Sequence, residues 1–317
     1  MVGAVVDAIR KVAIIGAGLV GRGWAIVFAR AGHQVTIYDG SDDIRAKVID
    51  RIRASLADMK EAGLIDAIDP VIRRLSVVDT LEEAVADADY IQESVLERRD
   101  VKEAVCLEID RVMRPDAVVG SSSSGIPASA FTAPCANRAH FLVVHPVNPP
   151  HLVPLVELVP APWTDANIVP WLRAQMEAVG QAAIVVRKEV EGFVLNRLQG
   201  ALLNEAWALL EEGVASAADI DLTVSHGLGY RWSFMGPFET IDLNAPGGIA
   251  DYARRLGPLY HAIALERRDP APWSEALVSK AEAARREKLP ASRLGERSAW
   301  RDRKLMALVA HKRRTSV

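Results

Sequence analysis

The stretch KVAIIGAGLVG, residues 11–21, decides the fold expected for this chain. Its apolar residues 12–15 are typical of a strand buried on both faces, and they lead directly into three glycines spaced G-x-G-x-x-G. Apolar residues then recur at helical spacing, a second apolar strand covers residues 35–38, and Asp39 ends it. This order of strand, glycine turn, helix, strand and acidic residue predicts a βαβ unit that binds a dinucleotide.

Each residue of the glycine turn has a physical reason to be there. Gly16 permits the tight turn, Gly18 lets a pyrophosphate approach the backbone, and Gly21 lets the helix pack close to the strand. The start of the helix offers unpaired N–H groups and the positive end of its dipole to the phosphates. We therefore expect the cofactor to contact Gly16, Gly18, Leu19, Val20 and Gly21.

Asp39 predicts which dinucleotide binds. Its carboxylate can accept hydrogen bonds from both ribose hydroxyls of an adenosine, whereas a 2′-phosphate would be repelled. Residues 40–43, GSDD, supply no cation that could hold such a phosphate. The sequence therefore predicts NAD(H) rather than NADP(H).

Bulk composition excludes several classes of protein. The chain has 317 residues, half of them hydrophobic, and a formal net charge of −3 with interspersed signs, which argues against a nucleic-acid partner. Its two cysteines, Cys106 and Cys135, form no metal-ligand pattern, so we expect no metal and two buried thiols in a reducing compartment. No apolar run reaches membrane-spanning length and residues 1–10 do not resemble a signal peptide, so we expect no membrane contact and a cytoplasmic protein.

The periodicity of the chain changes near residue 188. Before it, apolar strands alternate with helical segments; from Phe193 onward only helical periodicity is found. We predict an α/β fold: a Rossmann-type, mostly parallel sheet domain over residues 1–188, followed by an all-α C-terminal domain over residues 189–317. Residues 312–317, which begin KRR, predict a disordered basic end.

Polar side chains gather where the predicted strands end. Glu97 and Lys102 follow the strand at residues 88–92, at the edge where open α/β sheets bind ligands, so they could reach a cofactor ribose or nicotinamide. The alternative is an exposed acid and base at a helix start. Residues 121–124 are four serines after another buried strand, and they suit either a site or a solvated loop.

His145 and Glu157 suggest acid–base chemistry. Three prolines among residues 146–150 force a turn between two strands, which can bring His145 beside Glu157. A carboxylate on one imidazole nitrogen fixes the tautomer and raises the basicity of the other nitrogen, as oxidation of an alcohol requires. The alternative is a histidine at a strand end and a surface salt bridge. On the next helix, Asn196 shares a line with Gly200 and Asn204, which suits a ligand contact or helix packing.

Taken together, the motifs resemble the 3-hydroxyacyl-CoA dehydrogenase family. The resemblance covers residues 11 to about 260, and its motifs are SSG at 123–125, HPVNP at 145–149, LVE at 155–157, GFVLNR at 192–197 and MGPFE at 235–239. Within the family, HPVNPP and GLGYRW at 227–232 most resemble the branch that holds λ-crystallin and L-gulonate 3-dehydrogenase.

The resemblance implies roles for individual residues. Ser124 would hydrogen-bond the substrate oxygen, His145 would be the general base, Glu157 would orient it, and Asn196 would help to hold the reacting oxygen. The positions that match NAD contacts are Gly16, Gly18, Gly21, Asp39, Glu97 and Lys102. The family is typically dimeric, so we expect a homodimer through the C-terminal domain.

The substrate is predicted from charge. A CoA thioester brings a 3′-phosphate and calls for a basic surface, but acids nearly cancel the basic residues within 51–74. A free hydroxy acid needs a cation in its pocket, and Arg231 beside Trp232 is a candidate, although Arg231 could instead pair with Glu239 or with a helix terminus. We therefore expect oxidation of a small L-3-hydroxy acid such as L-gulonate or 3-hydroxybutyrate, with 3-hydroxybutyryl-CoA as the alternative.

Two other classes of protein are alternatives to a 3-hydroxy acid dehydrogenase. The β-hydroxyacid dehydrogenases related to 6-phosphogluconate dehydrogenase use a lysine on the long helix after the domain boundary, and residues 193–213 contain none. A structural, crystallin-like NAD(H)-binding protein is the remaining alternative. Retention of Ser124, His145, Glu157 and Asn196 argues against a purely structural role.

Overall fold

The computed structural model describes residues 8–269 and 272–315. The chain divides into two compact units, one of residues 1–196 with 298–317 and one of residues 197–297. Of residues 1–10, where the absence of a signal peptide was predicted, residues 1–7 lie outside the described part.

The first unit is built on an eight-stranded sheet, as the alternating pattern predicted. Its spatial order is β3-β2-β1-β4-β5-β6-β7-β8; strands β1 to β6 are parallel, and β7 runs antiparallel to β6 and parallel to β8. The strands are β1 Lys11–Ile15, β2 Gln34–Tyr38, β3 Leu75–Val77, β4 Tyr90–Glu93, β5 Val118–Ser121, β6 Phe141–Pro146, β7 Leu155–Pro160 and β8 Ala182–Val185. The predicted Rossmann-type sheet is therefore confirmed.

Helices cover both faces of this sheet. They are α1 Leu19–Arg30, α2 Asp42–Glu61, α3 Asp69–Ile72, α4 Leu81–Val85, α5 Arg99–Val112 and α6 Ile168–Ala178. Along β1, Val12 and Ile14 join one buried apolar cluster while Ala13 and Ile15 join the other. This alternation is the signature of a parallel strand buried on both sides, which residues 12–15 predicted.

The register brings the carboxyl ends of three strands to one edge. Glu93 at the end of β4 pairs with Ile15 of β1 on one side and with Ser121 of β5 on the other. The glycine turn after β1 and the serine-rich loop after β5 therefore leave the same edge of the sheet, where ligands of open α/β sheets bind.

The second unit is helical throughout its described part, residues 197–269 and 272–297, as predicted. Helix α7, Leu195–Glu211, starts within the first unit and continues into the second. A continuous helical stretch follows, made of α8 Ala217–Thr223, the π-helical Val224–Leu228 and α9 Gly229–Trp232. After it come α10 Pro237–Leu243, α11 Gly248–Glu266 and α12 Glu275–Lys288.

The C-terminal helix α13, Leu294–Thr315, differs from expectation in two ways. Residues 298–317 group with the first unit, whereas we assigned 189–317 to the second domain. The cause is packing, because Met306 is buried in the same apolar cluster as Met59. The expected disordered basic end is wrong as far as Thr315, because the chain is helical there and Arg313 Nη1 donates to the Leu64 carbonyl at 3.0 Å.

Two further observations bear on partners. Among the described residues, no helix combines the length and apolar character needed to cross a membrane. Cys106 and Cys135 are buried free thiols, and burial raises the pKa of Cys135 to about 12.

Candidate active site

The glycine turn has the shape that a dinucleotide needs. A Cβ on Gly16, whose φ is +94°, would lie 2.6 Å from the Ser94 carbonyl, and one on Gly21 would lie 1.8 Å from the Gly16 carbonyl. Close packing therefore requires glycine at both positions. A Cβ on Gly18 would meet nothing within 4 Å, so this side of the turn is open to an approaching pyrophosphate.

A cavity of about 510 Å³ lies beside this turn. Gly16 and Gly18 line it with Asp39 and Ser94. Gly18 caps α1 and has no side chain to satisfy the first N–H groups of the helix, so they remain available to phosphate oxygens. Leu19 is 55% exposed, and Val20 packs partly against the core. These residues fit an NAD pyrophosphate.

Backbone hydrogen bonds fix the carboxylate of Asp39, which directly follows β2. Its Oδ2 accepts the Ala17 N–H at 2.8 Å and its Oδ1 accepts the Ser41 N–H at 2.9 Å, which fixes the carboxylate against the glycine turn. Residues 40–43 supply no cation, but a basic side chain lies close to Asp39. Arg45, one turn into α2, donates from Nη1 to the Asp39 carbonyl at 2.6 Å. Our sequence reasoning considered only residues 40–43 and missed it.

His145 and Glu157 meet as predicted. They are directly opposed in the antiparallel pair β6–β7, and His145 Nδ1 lies 2.7 Å from Glu157 Oε2. The His145 side chain is 7% exposed and that of Glu157 is fully buried, so the alternative of a surface salt bridge is excluded. Among the described residues, no protein group hydrogen-bonds to Nε2 of His145, which leaves that nitrogen for a ligand.

The other oxygen of Glu157 holds the start of α7. Oε1 accepts the Val194 N–H at 2.9 Å and the Leu195 N–H at 3.0 Å. Burial alone would raise the pKa of Glu157, but the hydrogen bonds from His145 and these two amides outweigh it and lower the pKa. The carboxylate therefore stays charged and keeps Nδ1 of His145 as the protonated nitrogen.

A strained turn aims these amides at Glu157. Gly192 has φ +73° and Phe193 has φ +52°, so two successive residues are left-handed just before α7. A phenylalanine in this region costs energy, which its complete burial and its packing 5.7 Å from the His145 ring offset. Sequence reasoning noted Gly192 and Phe193 only as a family motif and gave Phe193 no role.

Ser124 lies in a loop that two side chains hold. Glu97 Oε1 accepts the Ser124 N–H at 2.8 Å and the Gly125 N–H at 3.2 Å, and the Ser124 hydroxyl also donates to it at 3.3 Å. Asn196 Nδ2 donates to the Ser124 carbonyl at 2.5 Å. Because Asn196 follows the amides that Glu157 binds, the start of α7 connects all four predicted catalytic residues.

Glu97 and Lys102 form part of a buried ionic cluster. Lys102 Nζ lies 3.1 Å from Glu93 Oε1 and 3.4 Å from Glu97 Oε2. The Lys102 side chain is 1% exposed and that of Glu93 is fully buried. Desolvation alone would raise the pKa of Glu97. Lys102 and the N–H and O–H donors of the serine loop outweigh it, so the pKa is lowered. With its ammonium enclosed in this way, the contact of Lys102 with the cofactor stays a prediction.

Arg231 and Trp232 belong to the second unit. Both lie in α9, and Trp232 is 41% exposed. The alternative pairing of Arg231 with Glu239 is not observed, and within the described part of the chain Arg231 forms no ion pair. Their role in substrate binding stays a prediction. No group of three or more His, Cys, Asp or Glu in residues 8–269 and 272–315 is arranged to hold a metal ion.

Comparison with known proteins identifies the family of this chain. The profile of the 3-hydroxyacyl-CoA dehydrogenase NAD binding domain matches residues 11–190, and that of the C-terminal domain of the same enzymes matches residues 192–290. λ-Crystallin of Oryctolagus cuniculus is 39% identical over 308 residues, which are 95% of this chain and 96% of that protein. L-carnitine dehydrogenase of Streptomyces coelicolor is 38% identical over 251 residues, 79% of this chain and 78% of that protein.

A solved structure shares the fold over nearly the whole chain. It is the NAD⁺-dependent 5-formyl-3-hydroxy-2-methylpyridine 4-carboxylic acid 5-dehydrogenase, with a TM-score of 0.76 and 28% identity. The match covers 95% of this chain and 97% of that one. The chain belongs to the 3-hydroxyacyl-CoA dehydrogenase family and is an NAD-dependent oxidoreductase that acts on a CH–OH group.

Proposed function

We propose that this chain oxidises the 3-hydroxyl group of a small L-3-hydroxy acid with NAD⁺, with His145 as the general base. The observation that supports this most is the 2.7 Å contact between His145 Nδ1 and Glu157 Oε2. Because Nδ1 donates its hydrogen to a buried carboxylate, Nε2 carries a lone pair that can accept the proton of a substrate hydroxyl.

The proposed step divides the alcohol between two acceptors. His145 Nε2 takes the hydroxyl proton, and the hydrogen on C3 leaves with its electron pair as hydride. Bound NAD⁺ supplies the hydride acceptor. Ser124 Oγ turns its hydrogen from Glu97 to the reacting oxygen and donates to it while the C3–O bond becomes a carbonyl. Asn196 donates one Nδ2 hydrogen to the Ser124 carbonyl, and its second Nδ2 hydrogen can bond to the reacting oxygen of the substrate.

Charge supports a free acid over a CoA thioester. A free acid brings a carboxylate, and the guanidinium of Arg231 has no ion pair among the described residues, so it is available for such a group. On the surface considered for a CoA phosphate, Arg53 is already paired with Asp69 at 3.1 Å. The relative named L-carnitine dehydrogenase adds support, since carnitine has its own carboxylate. The family match keeps 3-hydroxybutyryl-CoA as the second candidate.

A comparison of rates tests the proposal. We would measure kcat/KM with NAD⁺ for L-gulonate, L-3-hydroxybutyrate, L-carnitine and L-3-hydroxybutyryl-CoA, in the wild type and in Arg231→Met. We expect a free acid to be the best substrate, and its KM to rise about tenfold or more in the variant. The thioester serves as the control, because it lacks the free carboxylate. A thioester rate tenfold above every free acid would contradict the choice of substrate.

We also propose that the protein is a cytoplasmic homodimer formed through its C-terminal domain. Several large apolar side chains of the second unit face solvent. The apolar surface that they expose is larger than a soluble monomer usually leaves in contact with water. The most exposed are Phe238 at 74%, Phe234 at 70%, Leu243 at 69% and Tyr230 at 67%. Burial of such a surface against a second copy would remove it from water.

A further inference from the structure

Four polar side chains, each hydrogen-bonded to the next, form a series from the core of the first unit to the edge of the sheet where the cofactor binds. The hydroxyl of Tyr90 donates to Gln92 Oε1, and both side chains are fully buried on β4. Gln92 Nε2 lies 2.8 Å from Ser122 Oγ, which lies 2.8 Å from Ser94 Oγ. None of these four residues has a part in the proton transfer proposed above.

At the buried end of this series, the environment determines which group donates each hydrogen bond. Tyr90 is completely buried and desolvation raises its pKa, so its hydroxyl stays protonated and acts as a donor. Gln92 must therefore turn its carbonyl oxygen to Tyr90 and its amide nitrogen away. The Val144 carbonyl, 3.4 Å from Gln92 Nε2, can only accept, and it selects the same orientation of the amide independently.

The hydrogen bonds continue along the two serines. Ser122 Oγ accepts a hydrogen of Gln92. Either hydroxyl could donate in the bond between Ser122 Oγ and Ser94 Oγ. We assign the donor role to Ser122, because Ser94 lines the cavity and its hydrogen then remains for a ligand. Ser94 then has one hydrogen left, and among the described residues no protein group accepts it. Ser94 lines the cavity of about 510 Å³ together with Gly16, Gly18 and Asp39. The half-buried Ser94 is therefore a residue of the cavity wall, and with Ser122 as the donor its own hydroxyl hydrogen has no acceptor in the described part of the protein.

The backbone of Ser94 is held rigidly at this place. Its N–H donates to the Ile15 carbonyl at 2.7 Å, and its own carbonyl is so close to Gly16 that a Cβ there would come within 2.6 Å. The position of Ser94 relative to the glycine turn is thus fixed before the cofactor arrives. A preorganised donor of this kind loses little entropy on binding.

We infer that Ser94 donates a hydrogen bond to an acceptor oxygen of the bound dinucleotide. Sequence reasoning did not include Ser94 among the cofactor residues. The inference concerns cofactor binding alone. It does not depend on the identity of the substrate or on His145 as the base.

Two matched variants test it through NADH affinity. Ser94→Ala removes the donor, and we expect its Kd for NADH to rise about two- to tenfold, the usual worth of one hydrogen bond. Ser122→Ala removes the neighbouring hydroxyl but leaves Ser94 free to donate, so its Kd should stay within about twofold of the wild type. Both would be measured by calorimetric titration of the full chain, with Tm recorded to show that each variant is folded.

Two results would overturn the inference. The first is an unchanged NADH affinity in Ser94→Ala. The second is an equal loss in Ser122→Ala, which would make Ser122 the contact or the loss a general effect on the loop. Neither result would touch the proposed oxidation, because the rate comparison with hydroxy acids reports on the substrate and not on this donor.

Discussion

Glu157 joins His145 to the start of α7. One carboxylate oxygen lies 2.7 Å from Nδ1 of His145, and the other accepts two backbone N–H groups at the first turn of that helix. The same buried group therefore sets the tautomer of the imidazole and the position of Asn196, which follows these amides. Orientation of the proposed base and placement of the amide that helps to hold the substrate oxygen depend on one side chain.

Replacement of His145 by glutamine should separate chemistry from cofactor binding. The variant loses the nitrogen that accepts the hydroxyl proton, so we expect kcat to fall by about 10² or more. NADH affinity should change little, since the cofactor cavity is lined by other residues. Steady-state rates and a direct NADH titration check the two halves. Equal turnover of variant and wild type would remove His145 from the mechanism.

Glu157→Gln should act through the tautomer. The amide oxygen can still accept the α7 amides, but the amide nitrogen would then donate to Nδ1 of His145 and force the hydrogen onto Nε2. A protonated Nε2 cannot act as the base, so we expect kcat to fall by about 10². Retention of wild-type kcat with a lowered Tm would assign Glu157 a structural role only.

The same residue predicts a pH dependence of stability. The pKa of Glu157 is lowered on folding, so its charge stabilises the fold above the ordinary value of 4.5. That contribution is lost as the pH falls from about 4.5 through the lowered pKa. The difference in free energy of unfolding between the wild type and Glu157→Gln should therefore shrink below about pH 4.5. Denaturant titrations at several pH values measure it, and a constant difference would contradict the assignment.

Much of this site could be predicted because it lies in continuous motifs. The glycine turn, Asp39 and the two strands that carry His145 and Glu157 each have a local pattern, and the turn between those strands is enforced by prolines. Where backbone periodicity and turn chemistry decide the structure, the sequence alone is sufficient.

Other contacts could not be predicted because they join residues far apart in the chain. The carboxylate of Glu97, for example, holds the loop of Ser124, 27 residues further along the chain. Helix α13 packs on the first unit through Met306, although the charged sequence of 312–317 indicated a free end. Such contacts depend on how helices and strands pack against one another, and a local sequence pattern does not predict that packing.

Asp39→Ala should weaken NADH binding and admit NADPH. The variant loses the acceptor for the ribose hydroxyls, so we expect the Kd for NADH to rise about tenfold. Arg45 would remain beside the vacated position and could pair with a 2′-phosphate. Asp39→Ala with Arg45→Ala is the matched control, and it should lose the gain in NADPH affinity. An unchanged preference for NADH in Asp39→Ala would contradict the role of Asp39.

The exposed apolar side chains of the second unit predict a dimer. Size-exclusion chromatography with light scattering should give a mass near twice the chain mass of 34.4 kDa. Phe238→Asp, at a side chain that is 74% exposed, should reduce the mass to that of one chain. Leu107→Asp is the control in the first unit, where Leu107 is 40% exposed, and it should leave the mass unchanged. A wild-type mass near 34.4 kDa at micromolar concentration would contradict the dimer.

Lys102→Met tests whether this lysine contacts the cofactor or serves the buried cluster. The variant removes the cation that balances the fully buried carboxylate of Glu93, so we expect a loss of stability of about 3 kcal/mol or more. Lys102→Met with Glu93→Gln removes both charges and should recover much of it. If the ammonium only balances Glu93 and Glu97, this double variant should bind NADH nearly as the wild type does. A tenfold weaker affinity in a folded double variant would instead establish a direct contact between Lys102 and the cofactor.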